Sequence, residues 1–325
     1  MGGIAVVLPY AVQELVTFLI PFALLAILCL ALNLQWGHTG LFNAGIAGFY
    51  AIGAYTAGIL LTGPAPPDPF SSGHIGGFSQ PFGVALIGGF LAAAITGFFI
   101  GIVTLRLRED YLAIGTLALA EIIRIFLQNA ESLTGGHLGI LSIPRPFDFL
   151  GLGGPESDAS LAVLFVGSLL IGLFALDWMT RAPWGRALRA IREDEEAAQV
   201  LGKDTFWLKL QAFTIGCGLM GVAGVFLAVY SKVVSPDFFV PFTTFSVFVA
   251  VLLGGSGNNR AVLVGAGIFF LFDWASIRLK DYLPDVLSDR IAYYRLIAIG
   301  LILILLVLYR PQGVLPERRY VSSKG

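Results

Sequence analysis

Long apolar runs, separated by short polar or glycine- and proline-rich segments, extend along most of this chain. A helix needs about 20 apolar residues to cross the hydrocarbon core of a bilayer. Several runs reach that length, whereas the run at 243–254 is too short to cross alone. The pattern predicts about nine transmembrane helices, with eight to ten compatible, at 12–34, 40–61, 82–105, 111–128, 160–178, 206–230, 243–254, 260–276 and 295–309.

Composition supports a membrane protein. Of the 325 residues, 57% are hydrophobic and 13% are charged, and the mean hydropathy is +0.83. Soluble domains contain about 25% charged and roughly 45–50% apolar residues. A transmembrane β-barrel would show alternating strands of about ten residues, and the sequence lacks that pattern. We therefore expect an all-α polytopic membrane protein in which residues 1–325 form a single transmembrane domain.

The positions of lysine and arginine predict the orientation of the chain. Basic residues favour short cytoplasmic loops. They cluster at 106–108, 181–203 and 310–324, and they are nearly absent from the loops at 62–81 and 129–159. This alternation predicts an external N-terminus and a cytoplasmic C-terminus that contains Arg318, Arg319 and Lys324. The net charge of −1 gives no indication of binding to nucleic acid.

Sequence motifs for catalysis are missing. There is no GxxxxGK[ST] phosphate-binding loop, and the glycine-rich stretch at 252–261 reads as a tight turn between two packed helices. The three histidines have no metal-ligand spacing, and Cys29 and Cys217 read as small buried hydrophobes. We expect a protein that is not an enzyme and binds no cofactor or metal; any ATP that drives it is hydrolysed by another chain.

A few polar residues interrupt the apolar runs. Glu121, Arg124 and Gln128 share one helix face, because they are spaced by three and four residues. Ionisable residues inside membranes either pair with each other or mark a translocation path. Both interpretations, a structural ion pair and a path lining, are open for these three residues. Asn43 and Asp273 are the other inward candidates.

The most charged segment is the loop at about 181–205, RAPWGRALRAIREDEEAAQVLGKDT. As one helix it would place arginines before acids, which opposes the helix dipole. We therefore predict a break, with Asp194 as N-cap, Glu195 and Glu196 in the first turn, and Gly202 at the end of a helix of about two turns. A helix this short is marginal in water. It is expected to dock on a partner protein, the alternative being a solvated linker on the membrane surface.

The order Glu196-Ala197-Ala198-x3-Gly202 resembles the EAA motif of ABC importer permeases. In that family the motif forms the cytoplasmic coupling helix, which docks in a cleft of the ATPase. Longer blocks make the resemblance specific to the branched-chain amino acid permeases of the LivM type. These blocks are HTGLFNAGIAGFYAIGAYTA (38–57), RLREDYLAIGTLALAEIIRI with the following TGGHLGILSIP (106–144), LLGGSGNNRAVLVGA (252–266) and YRPQGVLPERR (309–319).

The resemblance implies a type II ABC importer. Its pore would pair this chain with a second, related permease of the LivH type. Two cytoplasmic ATPases would carry ATP and Mg, and a periplasmic binding protein would deliver the solute to the bacterial inner membrane. The arginines and glutamates of the loop are expected to complement charges on the ATPase. The small alanine side chains are expected to let the loop approach the ATPase closely. The coupling residues would be Arg186, Arg189, Arg192, Glu195, Glu196, Ala197, Ala198 and Gly202.

The expected solutes are branched-chain or other neutral amino acids. Urea or short amides are the alternative within the family, because their importers use the same type of permease. An ATP-independent channel or an ion-coupled carrier is the alternative from a different class. The few ionisable residues inside the predicted spans argue against ion coupling, which usually needs several of them.

Overall fold

The computed structural model describes residues 9–63, 76–147, 155–279, 291–310 and 312–315. Over these residues, β-type pairing is limited to an isolated antiparallel bridge between Ile140 and Val234. Every predicted apolar run falls on a helix, which confirms the helical class. The helices are α1 (Tyr10–Leu32), α2 (Ile46–Leu61), α3 (Phe82–Thr104), α4 (Glu109–Asn129), α5 (Glu131–Thr134), α6 (Pro155–Arg181), α7 (Pro183–Glu193), α8 (Glu195–Val200), α9 (Thr205–Ser231), α10 (Pro241–Gly254), α11 (Asn259–Leu279) and α12 (Ile291–Tyr309).

Six helical segments in the described part of the chain are long and apolar enough to cross a membrane. Two further apolar stretches, Ile46–Leu61 and Tyr293–Leu306, are shorter. Helix α4 has the length of a span but contains several charged residues. The count of nine spans therefore remains a prediction. The six segments are Val12–Gly37, Phe82–Thr104, Glu156–Arg181, Thr205–Ser231, Pro236–Gly254 and Asn259–Leu279.

The second predicted span starts later than expected. The apolar run was predicted to be helical over 40–61, but α2 begins at Ile46. Before it, α1 continues into a π-helical turn at Asn33–Gly37, and Gly40 adopts a left-handed conformation with φ +79°. The Gly45 N–H then donates to the Asn43 side chain at 2.8 Å, which stabilises a non-helical backbone just before α2.

Glycines bring α2, α3 and α9 into backbone contact. A Cβ added to Gly53 of α2 would lie 2.0 Å from the Gly221 carbonyl oxygen of α9, and one added to Gly224 would lie 2.1 Å from the Tyr50 carbonyl oxygen. One added to Gly89 of α3 would lie 2.3 Å from a Val225 methyl group. Small residues allow this approach, as they do between other membrane helices. The high glycine content thus serves close helix packing.

One end of the helix bundle carries the 181–205 loop. Arg192 in this loop donates a hydrogen bond to the Gly37 carbonyl at the end of the π-helical turn. The same turn meets the α10–α11 connection, because the Gly257 N–H donates to Asn33 Oδ1 at 2.9 Å. We call this the loop end of the bundle.

The C-terminal segment 312–315 also lies at the loop end. The N–H groups of Val314 and Leu315 donate to the carbonyls of Leu253 and Gly254 at 2.9 and 3.0 Å. The cytoplasmic side predicted for the basic clusters stays a prediction. The tail residues Arg318, Arg319 and Lys324, and parts of the predicted loops 62–81 and 129–159, lie outside the described residues.

Candidate functional site

The 181–205 loop folds into two helices with a break between them. Asp194 is extended (φ −157°, ψ 105°), and its carboxylate accepts a hydrogen bond from the Ala197 N–H at 2.9 Å. At the other end, Gly202 has φ +77°. The N–H groups of Gly202 and Lys203 donate to the carbonyls of Gln199 and Ala198. This is a Schellman ending. The predicted N-cap, short helix and glycine end are confirmed.

Helix α7 lies against the bundle through one face. Pro183 occupies its first turn, where the missing N–H costs nothing. Gly185, Leu188 and Ile191 follow at a spacing of three residues and are buried. A Cβ on Gly185 would lie 2.2 Å from the Thr180 carbonyl oxygen, so α7 turns directly back on the end of α6.

The three arginines of α7 donate hydrogen bonds to carbonyls of their own chain. Arg186 reaches the Arg181 carbonyl and Arg189 the Thr180 carbonyl, each at 3.2 Å, and both carbonyls belong to the last turn of α6. Arg192 reaches Gly37, at the end of the α1 extension. Guanidinium groups at helix C-termini satisfy free carbonyls and interact well with the helix dipole. These contacts secure the loop on the bundle; the predicted contact with a partner protein stays a prediction.

Helix α8 is fixed on one side to α9. Glu195 forms an ion pair with Lys209. Gln199 Nε2 donates to Thr205 Oγ1 at 2.9 Å. Ala198 is only 3% exposed and faces its own chain, so it does not offer the close approach to a partner that was expected of it. Leu201 follows the last helical turn and is 78% exposed.

The opposite side of α8 is open. Val200 is 89% exposed, and Glu196 and Ala197 are also exposed. We call Glu196, Ala197, Val200 and Leu201 the α8 tip. Exposed apolar side chains flanked by charge are common in interaction sites. The α8 tip thus combines a rigid support with an uncovered apolar surface.

A polar cluster joins the extension of α1, the start of α11 and the end of α6 at the loop end. Asn33 Nδ2 donates to Asn259 Oδ1 at 2.8 Å, and His38 Nε2 lies 3.2 Å from the same oxygen. Asn259 Nδ2 donates to Asp177 Oδ1 of α6 at 2.8 Å. The sequence analysis missed this cluster. The sequence feature that could have indicated it is the pair Asn258–Asn259 after the glycine-rich stretch. That stretch was interpreted only as a tight turn.

Asn43 belongs to a second buried set of polar groups and is fully buried. Its Nδ2 donates to Gln35 Oε1 at 2.9 Å, while Gln35 Nε2 donates to the Phe213 carbonyl of α9 at 2.8 Å. Asn43 Oδ1 accepts the Gly45 N–H. The side chain therefore joins the π-helical turn to the start of α2.

Glu121 and Arg124 form an ion pair on α4, and the Glu121 carboxylate is 2.9 Å from Arg124 Nε. Their side chains are 37% and 20% exposed, and Gln128 one turn later is half-buried. Asp237, in a 3₁₀ turn before α10, interacts electrostatically with Arg124. Asp237 could not be predicted as a neighbour of Arg124, because the two residues are far apart in the sequence and no motif links them.

Comparison with known proteins places these features in a family. A family profile described as branched-chain amino acid transport system / permease component matches residues 14–307. The chain is 36% identical to the high-affinity branched-chain amino acid transport system permease protein LivM of Escherichia coli K12, over 90% of this chain and 68% of the relative.

The chain belongs to this permease family. It is also 29% identical to a probable LivM protein of Methanocaldococcus jannaschii, over 93% of each chain. Identity to the LivH permease of Salmonella typhimurium is 26%, over 88% of this chain and 92% of the relative. No solved structure matches the chain.

Two blocks that carried the resemblance to this permease family meet in space. The connection after α10 contains Gly255, with φ +112°, and the segment after α12 contains Gly313, with φ +72°. A Cβ on Gly313 would lie 2.5 Å from Gly255 Cα. The two glycines therefore let the segments pair at the loop end.

Asp273 of the permease pairs with Arg295 of α12, with Oδ1 and Nη1 3.0 Å apart. Their side chains are 28% and 25% exposed. The pair joins α11 to α12. In the part of the permease that the structure describes, no group of three His, Cys, Asp or Glu side chains could hold a metal ion.

Proposed function

We propose that this permease is one of two membrane subunits of an ATP-driven importer for branched-chain or other neutral amino acids. Its family and the names of its bacterial and archaeal relatives support this assignment. Urea or short amides are the alternative solutes, and an ATP-independent channel or ion-coupled carrier is the alternative class.

The α8 tip is the observation that carries the proposal. A six-residue helix has little stability of its own. Here it is capped at both ends and attached to α9, yet its outer surface is uncovered. We assign this surface to docking on an ATPase. Closure of an ATPase dimer on ATP would displace the tip, and the packed helices would follow as a rigid body.

The remaining subunits follow from this assignment. The match to LivH permeases along most of the chain supports a LivH-like partner, which completes a pore with type II architecture and about nine spans per subunit. Two cytoplasmic ATPases bind ATP and Mg, and a periplasmic binding protein supplies the solute. The chain is then a multi-pass protein of the bacterial inner membrane with a cytoplasmic loop end and C-terminus.

We further propose that Glu121, Arg124 and Gln128 border the translocation path. Helix α4 packs on α2 through Thr116 and Ala120, while much of its remaining surface is exposed. An ion pair at that boundary can face a polar path formed with the second permease. For Asn43 and Asp273 the buried or paired contacts favour a role in holding helices together.

The test is reconstitution with the ATPases, the partner permease and the binding protein in vesicles. We expect the ATPases to co-purify and uptake of leucine, isoleucine or valine to require ATP. Val200→Asp and Leu201→Asp should abolish ATPase co-purification. Leu107→Asp is the matched control, because Leu107 is also an exposed apolar residue. It lies close to the start of α9, since the neighbouring Arg106 contacts Phe206.

Uptake without ATP would contradict the importer. Uptake restricted to urea or amides would contradict the amino-acid assignment and leave the coupling surface in place. Normal ATPase binding by both α8 tip variants would contradict the docking surface.

A further inference from the structure

The π-helical turn Asn33–Gly37 connects the 181–205 loop with the interior of the bundle. Such turns are rare, and they occur often at functional sites because they widen the helix and redirect side chains. Asn33, Leu34, Gln35 and Gly37 of this turn are buried. Its polar groups make hydrogen bonds to α7, to α9, to the α10–α11 connection with the start of α11, and to the segment before α2.

On the outer side, the turn is held by Arg192. The guanidinium donates to the Gly37 carbonyl, although the two residues are 155 positions apart in the chain. The Arg192 stem packs against Gly40, where an added Cβ would lie 3.3 Å from Arg192 Cγ. Arg186 and Arg189, by contrast, bond to the last turn of α6, which adjoins α7 in the chain. The hydrogen bonds of Arg186 and Arg189 thus go to α6, whereas that of Arg192 goes to the extension of α1.

On the inner side, the turn makes two branches of hydrogen bonds. Asn33 accepts a hydrogen bond from the Gly257 N–H of the α10–α11 connection and donates one to Asn259, the first residue of α11. Gln35 binds the Phe213 carbonyl of α9 and accepts a bond from Asn43. Each branch is composed of fully buried amides, for which an unmade bond is costly. The turn cannot move without moving these partners or breaking those bonds.

We propose that Arg192 is a positioning residue for transport: it transmits displacement of α7 and α8 to the π-helical turn, and Gln35 and Asn43 pass it to the start of α2. The inference rests on the proposed function, since it assumes that an ATPase displaces α8. It goes further by naming the contact that transmits the movement, Arg192 to Gly37, and the element that receives it, the start of α2. A charge-assisted bond to a carbonyl resists both sliding and separation, so a stiff helix can pull as well as push through it.

A purely structural role makes a different prediction. If Arg192 only caps the end of α1, its loss should lower stability and the amount of complex, without changing uptake per ATP hydrolysed. If it transmits movement, the complex should assemble and hydrolyse ATP while uptake falls. The ratio of uptake to hydrolysis therefore separates the two roles, because a change in the amount of complex cancels from it.

The experiment uses the complete reconstituted importer. Arg192→Met and Arg192→Lys are compared with Arg106→Met, the matched control, whose guanidinium lies over the Phe206 ring of α9. Gln35→Met tests the inner branch. We expect Arg192→Met and Gln35→Met to lower uptake per ATP at least about tenfold with ATPase co-purification intact. Arg192→Lys should recover part of the ratio, and Arg106→Met should keep it.

Two outcomes would overturn the inference. An unchanged ratio in Arg192→Met would show that movement passes elsewhere. Loss of both Arg192 variants from the membrane, with Arg106→Met still present there, would assign Arg192 to folding. Failure of the proposed function itself is recognised separately, because the unaltered chain would then neither bind the ATPases nor require ATP.

Discussion

Glu195, in the first turn of α8, forms an ion pair with Lys209 on α9. The pair spans the bend between the two helices, and we expect it to hold the α8 tip in its direction relative to α9. A partly exposed pair contributes about 0.2–1 kcal/mol to stability. Its importance here is therefore geometric, and it can be tested without unfolding the protein.

We expect Lys209→Met to lower ATP-dependent uptake severalfold while the thermal unfolding temperature stays nearly unchanged. The charge-exchanged variant, Glu195→Lys with Lys209→Glu, should restore part of the uptake. Transport measurements on reconstituted vesicles, with unfolding followed in detergent, provide the comparison. Equal uptake by Lys209→Met and the unaltered chain would contradict the geometric role.

Asp194 permits a second prediction about the same helix. Replacement of an N-cap aspartate by alanine costs about 0.5–2 kcal/mol of helix stability. Because α8 has only six residues, Asp194→Ala should expose its backbone amides to faster hydrogen exchange. Asp194→Ser keeps a capping oxygen and is the control. If exchange of the α8 amides is as slow in the alanine variant as in the serine variant, the cap does not maintain this helix.

The contact between Gly53 and Gly221 predicts a strong effect on folding. Gly53→Ala places a methyl group 2.0 Å from a carbonyl oxygen, so the helices must separate. We expect a loss of at least about 1–3 kcal/mol and a lower unfolding temperature in detergent. Gly167→Ala in α6 is the matched control, because no atom lies within 4 Å of the added Cβ. Gly167→Ala should leave stability unchanged or raise it by up to about 1 kcal/mol. Equal unfolding temperatures for the two variants would refute the close packing.

The pair Asp273–Arg295 predicts non-additive effects. Asp273→Asn leaves the Arg295 charge without its partner inside the bundle, and it should cost about 1–2 kcal/mol, less than a fully buried pair because each side chain is about one quarter exposed. Adding Arg295→Met should recover most of the loss. Unfolding temperatures of the two single variants and the double variant measure this coupling, and strictly additive losses would rule it out.

Exchange of the charges at Glu121 and Arg124 distinguishes a path lining from a structural pair. The variant Glu121→Arg with Arg124→Glu keeps an ion pair on α4 but reverses its direction and its relation to Asp237. We expect uptake to fall at least about tenfold, while ATPase co-purification and the unfolding temperature change little. Normal uptake by the exchanged pair would support the purely structural interpretation.

Local patterns were sufficient for several features. Apolar runs of membrane length predict that helices are present, though not where each begins, because backbone groups in lipid must bond within their own segment. The break at Asp194 and the ending at Gly202 were likewise predictable. Their hydrogen bonds join residues only a few positions apart, so the capping rules contain all the necessary information.

The sequence by itself thus determined the helical membrane class, the family motifs and the division of the 181–205 loop. Only the tertiary structure decided that Ala198 is covered while Val200 and Leu201 are exposed, and that Arg192 reaches Gly37. Burial of a helix face depends on which distant segment covers it, and a guanidinium group on a short helix can reach many carbonyls. Both features depend on packing between residues far apart in the chain. The spacing of residues within the loop carries no information about that packing.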